Sequence, residues 1–181
     1  MGFLPGWRRS RHERVGFLLY GAAVEAARQP YFYTVLGVPD TLDGRFDLLS
    51  LFAFLLIDRL RPESDPGPAL AQAVFDAMFS DMDVNLREMG VGDLSIGKKV
   101  KAMWNAFHGR SIAYAAGLAS GDEAALEAAI ARNVWRGARP PPGSAAALAR
   151  LVAAGRADLE RQPLAALAEG KVRFPPLETM P

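Results

Sequence analysis

A chain of 181 residues, half of them apolar and 23% charged, fits one domain with a sizeable buried core. Its net charge of +1 argues against a nucleic-acid protein that works by bulk charge. The absence of cysteine removes disulfides, thiol catalysis and thiolate metal sites together.

Residues 1–10 read as a basic N-terminal arm with Trp7 beside arginines. It is either a frayed end or a contact with a membrane surface. No apolar stretch leads to a small-residue cleavage site, so no signal peptide is expected. Arg11 to Arg28 is predicted as a helix, because Val15, Leu18, Leu19, Ala22 and Ala26 recur at helical spacing. Gln29-Pro30 stops it, since the residue before proline is pushed out of the helical region. Tyr31 to Arg45 reads as coil with turns at Pro39-Asp40 and Asp43-Gly44.

Phe46 to Leu60 is the most apolar helix, with Asp43 as its cap and its place at the centre of a bundle. The uncharged run inside it, Leu48 to Ile57, falls far short of the about 20 residues of a membrane span. Arg61 to Pro68 is a loop. Ala69 to Met89 is a long helix, roughly 30 Å, with Phe75, Met78, Met82, Leu86 and Met89 facing inward. Gly90-Val91-Gly92-Asp93 is a tight turn, glycine serving a helix stop that needs a left-handed residue. Asp93 or Ser95 then caps a second long helix, Ile96 to Ala119. Gly97, Gly109 and Gly117 interrupt it, which calls for close packing or a bend at Gly109.

Ser120 and Glu123 have the spacing of a capping box for a helix to about Trp135. Residues 137–143 are a Pro-rich spacer. Ser144 caps a last helix to about Arg161, followed by a helical turn at Pro163 to Ala168, an extended Lys171 to Phe174 and a Pro-rich tail. The elements are helices only, so the expected class is all-α: one bundle of about six to seven helices. Its parts are the arm, a core over 11–136, the spacer, and a C-terminal helix and tail of the same domain over 144–181.

The polar residues concentrate around the turn. Asp81 and Asp83 make a DxD pair, yet positions two apart do not share a helix face. No second acidic motif faces them, so an ion-pairing surface is favoured over a metal-dependent enzyme. Asp83 and Arg87 have the spacing of a helix ion pair, and Arg87 is otherwise a cation for a partner's carboxylate. Lys98, Lys99, Lys101 and Arg110 form a positive patch for an acidic segment, an anionic lipid or ribosomal RNA. A DNA reader is not indicated by so nearly neutral a chain. His12 and His108 are too far apart to read as a ligand pair, and no catalytic constellation or cofactor motif stands out.

Three segments together resemble one family: VPDTLDGRF (Val38–Phe46), DMDVNLREMGVGDLSIGKKVKAM (Asp81–Met103) and FHGRSIAYAAGL (Phe107–Leu118). The chain is similar over about Arg11 to Arg136 to the ubiquinol–cytochrome c chaperones, assembly factors for cytochrome b of respiratory complex III. The resemblance implies a helical protein that is not an enzyme and carries no cofactor or metal. Its client is newly made cytochrome b, with a small helical partner or the ribosome as further contacts. The short start is that expected of a bacterial-type member, cytoplasmic or peripheral at the inner face of the membrane. On the family motif, Arg45, Asp83, Arg87, Glu88, Asp93, Lys98, Arg110 and Tyr114 become partner-binding candidates, joined by Lys101 from the patch. A lipid- or RNA-binding module using Lys98–Lys101 is the alternative.

Overall fold

The computed structural model describes residues 5–174, which form helices joined by turns with no strand among them. The helices are α1 (Pro5–Ala27), α2 (Pro30–Thr34), α3 (Leu42–Leu60), α4 (Gly67–Glu88), α5 (Asp93–Ser120), α6 (Glu123–Val134), α7 (Ser144–Arg161) and α8 (Leu164–Leu167). The all-α bundle expected from the sequence is the architecture found. None of these helices is long and apolar enough to cross a membrane.

The bundle is built around α3. Leu48, Leu51, Leu55, Leu56 and Leu60 are sealed from solvent, and α1, α4, α5, α6 and α7 all pack on this one helix. Each such leucine contributes about 1.5–3 kcal/mol of transfer free energy. The helix starts earlier than Phe46, and its cap is Thr41, whose Oγ1 accepts the Gly44 N–H at 3.1 Å. Asp43 lies inside the first turn. The Asp43-Gly44 pair is therefore helical. Glycine is needed there because a Cβ would stand 2.0 Å from the Pro39 carbonyl oxygen.

Other local expectations shift in the same way. Tyr31 to Thr34, expected as coil, is the helix α2, with Pro30 in its first turn where a missing N–H costs nothing. Neither Asp93 nor Ser95 caps α5; Gly92 holds that position, and Asp93 is the first helical residue. Asp122, not Ser120, caps α6 by accepting from Ala125 N–H at 3.0 Å. Gly143 precedes α7 with φ +79°, and Ser144 is buried within its first turn. At the amino end, the arm is helical from Pro5 onward. Its first four residues and the tail from residue 175 lie outside the described residues.

α5 runs unbroken past Gly109, where an added Cβ would meet nothing within 4 Å. The close packing is at Gly117, where a Cβ would stand 2.9 Å from Leu126 Cα on α6. At the carboxyl end, Arg59 donates to the carbonyls of Leu159 at 2.9 Å and Gln162 at 3.0 Å. Gln162 in turn holds the backbone of Arg173 through both ends of its amide, at 2.8 and 3.1 Å. Within Lys171 to Phe174, Arg173 thus pairs with a side chain, not with a strand.

Candidate functional site

The turn between α4 and α5 builds itself from local chemistry. Gly90 adopts φ +77°, and the N–H groups of Gly90 and Val91 return to the carbonyls of Arg87 and Leu86 at 2.9 and 3.1 Å. This satisfies two carbonyls that a helix end leaves free. Arg87 then clasps both helices, with Asp83 at 2.6 Å behind it and Asp93 at 2.6 Å across the turn. Asp83 raises the guanidinium's pKa further. All three side chains are largely exposed, so the clasp fixes the angle of the elbow more than it adds stability.

Inside the elbow lies a groove of about 340 Å³, where the start of α3 meets the end of α4 and the first half of α5. Its apolar walls are Leu42, Phe46, Met82, Leu86, Met89 and Met103. Leu42 and Met89 are exposed in it, Met89 by 50%. The methionines expected to face inward therefore divide. Met78 is fully buried in the core, whereas Met82 and Met89 line an open surface, joined there by Met103 of α5. Asp43, Lys99, Arg110 and Arg136 provide its charged lining.

One side of the groove rests on a buried ion cluster. Asp47 has no exposed surface. Arg110 Nη1 of α5 lies 2.6 Å from its Oδ1. Arg136 Nε, from the turn after α6, donates to its Oδ2 at 2.5 Å, and Arg136 also reaches Asp43 at 3.0 Å. Arg136 holds φ +52°, a left-handed conformation rare for a residue with a side chain. Its hydrogen bonds to α3 offset that strain. Burial pushes the Asp47 carboxyl up against the opposite pull of the two guanidiniums. The Arg110 guanidinium also stands 5.9 Å over the ring of Phe46.

The sequence candidates fall into four groups. Asp83, Arg87 and Asp93 come together as the clasp, with Glu88 exposed beside them. Arg110 lines the groove, while Tyr114, one turn on, is wholly buried against Phe54 with ring centroids 5.6 Å apart. Burial pushes the Tyr114 hydroxyl pKa up, and it presents no surface to a partner. Lys98 and Lys101 stand on the outward face of α5, and Lys99 points to the groove. Arg45 pairs with Asp40 at 2.6 Å on the surface and does not reach the groove. The DxD pair diverges: Asp81 accepts from the Tyr20 hydroxyl at 2.7 Å, and Asp83 belongs to Arg87. No cluster of three or more potential metal ligands forms among the described residues.

Sequence reasoning missed Asp47 and Arg136. The available signal was an acid at the head of an otherwise apolar helix, which a buried position leaves without solvent and so requires a cation. Which cation was not readable, because 89 residues separate the pair.

Comparison with known proteins places these features in a family. The model of the family described as ubiquinol-cytochrome C chaperone matches residues 34–174. The chain is 24% identical over 116 residues to ubiquinol-cytochrome-c reductase complex assembly factor 1 of Xenopus laevis, covering 64% of this chain and 58% of that protein. It is 25% identical over 118 residues to the Mus musculus factor of that name, covering 65% of this chain and 38% of the other. It thus spans less than two thirds of either relative. The crystal structure of the Cbp3 homolog from Brucella abortus superposes with a TM-score of 0.86 at 36% identity, covering 96% of both chains. With its groove, its clasp and helices α3 to α8 inside the matched span, the chain belongs to the ubiquinol–cytochrome c chaperone family.

Proposed function

We propose that this chain is an assembly chaperone for ubiquinol–cytochrome c reductase that holds newly made cytochrome b in the elbow groove and makes or breaks no bond. The observation that carries the reading is the open groove of Met82, Met89 and Met103 edged by Lys99, Arg110 and Arg136. Methionine side chains are unbranched and polarizable, so they accommodate apolar helix faces of differing shape. An apolar face of the client lies along them in a helix-in-groove contact. Lys99, the rim cation that no acid pairs among the described residues, engages polar groups at the end of that segment. Holding of this kind needs differential binding only: the groove favours the unassembled client, whose apolar face is still uncovered.

The protein works on the cytoplasmic side, where a nascent client is met, and a small helical partner or the ribosome can add contacts outside the groove. A photo-crosslinking amino acid placed at Met89 or Lys99 in living cells should trap cytochrome b. The same group at Ala157, exposed on α7, should not. Absence of a cytochrome b adduct from both groove positions, with normal complex III in a strain lacking the protein, overturns the reading.

A further inference from the structure

We infer that the outward face of α5 is a docking surface for an anionic lipid bilayer. This goes beyond the client groove and does not depend on it, because the groove uses Met103, Ala106 and Arg110 on the other side of the helix. Leu94, Lys98, Lys101, Asn105, His108 and Ile112 follow one another at steps of three and four residues, so they form a single stripe. All six are exposed. From Leu94 to Ile112 the stripe runs about 27 Å at 1.5 Å per residue.

Its chemistry is that of a helix lying in a membrane interface. Leu94 is 94% exposed and Ile112 59%, and Trp104, beside the stripe, is 44% exposed with its ring stacked on His108 at 5.5 Å. Branched aliphatics and an indole on one exposed face suit the boundary between headgroups and acyl chains. Lysines flanking them keep their ammonium groups at headgroup level while their stems lie on apolar surface.

Charge selects the kind of bilayer. Between Leu94 and Gly121 the chain has no acidic residue. Among the described residues no acid pairs with Lys98, Lys99 or Lys101, whereas the neighbouring Asp93 is already held by Arg87. The stripe also borders a cleft of about 440 Å³ floored by Phe54, Ile57, Phe75 and Phe107. The one acid there, Asp58, pairs with Arg156 at 3.4 Å. Nucleic acid would satisfy the lysines but leave Leu94 and Ile112 with nothing to cover them.

The test is co-sedimentation of the full chain with phosphatidylcholine vesicles, with and without phosphatidylglycerol. Binding is expected with phosphatidylglycerol, weak without it, and falling steeply as salt rises. Each lysine near an anionic surface adds roughly fivefold, so K98Q/K101Q should bind about thirtyfold more weakly. That variant should keep its circular dichroism and melting temperature, since both side chains are exposed. Tryptophan emission should shift to the blue on binding, and Trp104→Phe should remove most of the shift. Equal binding to both vesicles, unchanged binding by K98Q/K101Q, or a blue shift that survives Trp104→Phe overturns the proposal. So does binding to ribosomes by a protein that ignores vesicles.

Discussion

Asp47 and Arg110 look equivalent as partners in one ion pair, yet their substitution should have unequal effects. The carboxylate is sealed from water, and burial outweighs the pull of Arg110 and Arg136 on its pKa. The folded chain therefore holds a proton on Asp47 more tightly than the unfolded chain does. Stability contributed by this group is fullest below the ordinary carboxylate pKa and declines as pH rises through the raised value. Asp47→Asn keeps the shape and removes the buried charge but leaves the mostly buried Arg110 without its carboxylate, so its urea midpoint at pH 7 should fall, by less than that of Arg110→Ala. The parent should gain on the variant as pH falls through that window. Arg110→Ala instead leaves Asp47 with one guanidinium and uncovers Phe46, and should lose about 3 kcal/mol. A large loss in Asp47→Asn at pH 7, matching that of Arg110→Ala, would show the cluster to be net stabilising. At this scale the sequence reveals only neighbours. Arg87 and Asp83 stand four apart and were readable as a pair, whereas Asp47 and Arg136 meet only because α6 ends over the start of α3.

Helical periodicity reports which face of an element is buried, so the six long helices were legible from the spacing of their apolar residues. It does not report which of several polar residues wins the cap. Thr41, Gly92 and Asp122 hold those positions in place of Asp43, Asp93 and Ser120, because backbone geometry at each turn decides and Asp, Ser and Thr side chains are nearly interchangeable there. Nor does periodicity distinguish glycines. Gly109 and Gly117 interrupt α5 alike in sequence, but only Gly117 faces a neighbour. Gly109→Ala should raise stability by about 0.5–1 kcal/mol, the usual gain from replacing an exposed helical glycine. Gly117→Val must push Leu126 and its backbone away, and should lose about 1–3 kcal/mol or more through overpacking between α5 and α6. Chemical denaturation followed by circular dichroism separates the two. Equal effects from both substitutions would mean that α5 and α6 do not approach as closely as they do here.

The groove, unlike the helices, exists only at the scale of the whole molecule. Its walls come from α3, α4 and α5, and its rim needs Arg136, which lies about 90 residues from Leu42 in sequence but opens onto the same groove. Periodicity put Met82 and Met89 on the inward stripe of α4, but that stripe ends at an open groove where Met89 is half exposed, which no single helix reveals. The region after the Pro-rich spacer packs into the core. Leu148, Val152 and Leu159 of α7 are buried, and α7 covers both α3 and α6. Arg59, mostly buried on α3, donates to the Leu159 and Gln162 carbonyls as well as pairing with Glu63. Trp135, whose Nε1–H donates to the Gly37 carbonyl at 3.0 Å, anchors the turn that carries Arg136. A chain ended at Pro140 would uncover that surface and leave the Arg59 guanidinium without those carbonyls. Three buried side chains at about 1.5–3 kcal/mol each, with two lost hydrogen bonds to Arg59, amount to a large part of the 5–15 kcal/mol that typically separates folded from unfolded. The truncated chain should retain helix by circular dichroism, bind a hydrophobic dye and melt without a cooperative transition. If it instead unfolds cooperatively near the parent's midpoint, residues 11–136 form an independent core, and α7 with α8 is a separable cover.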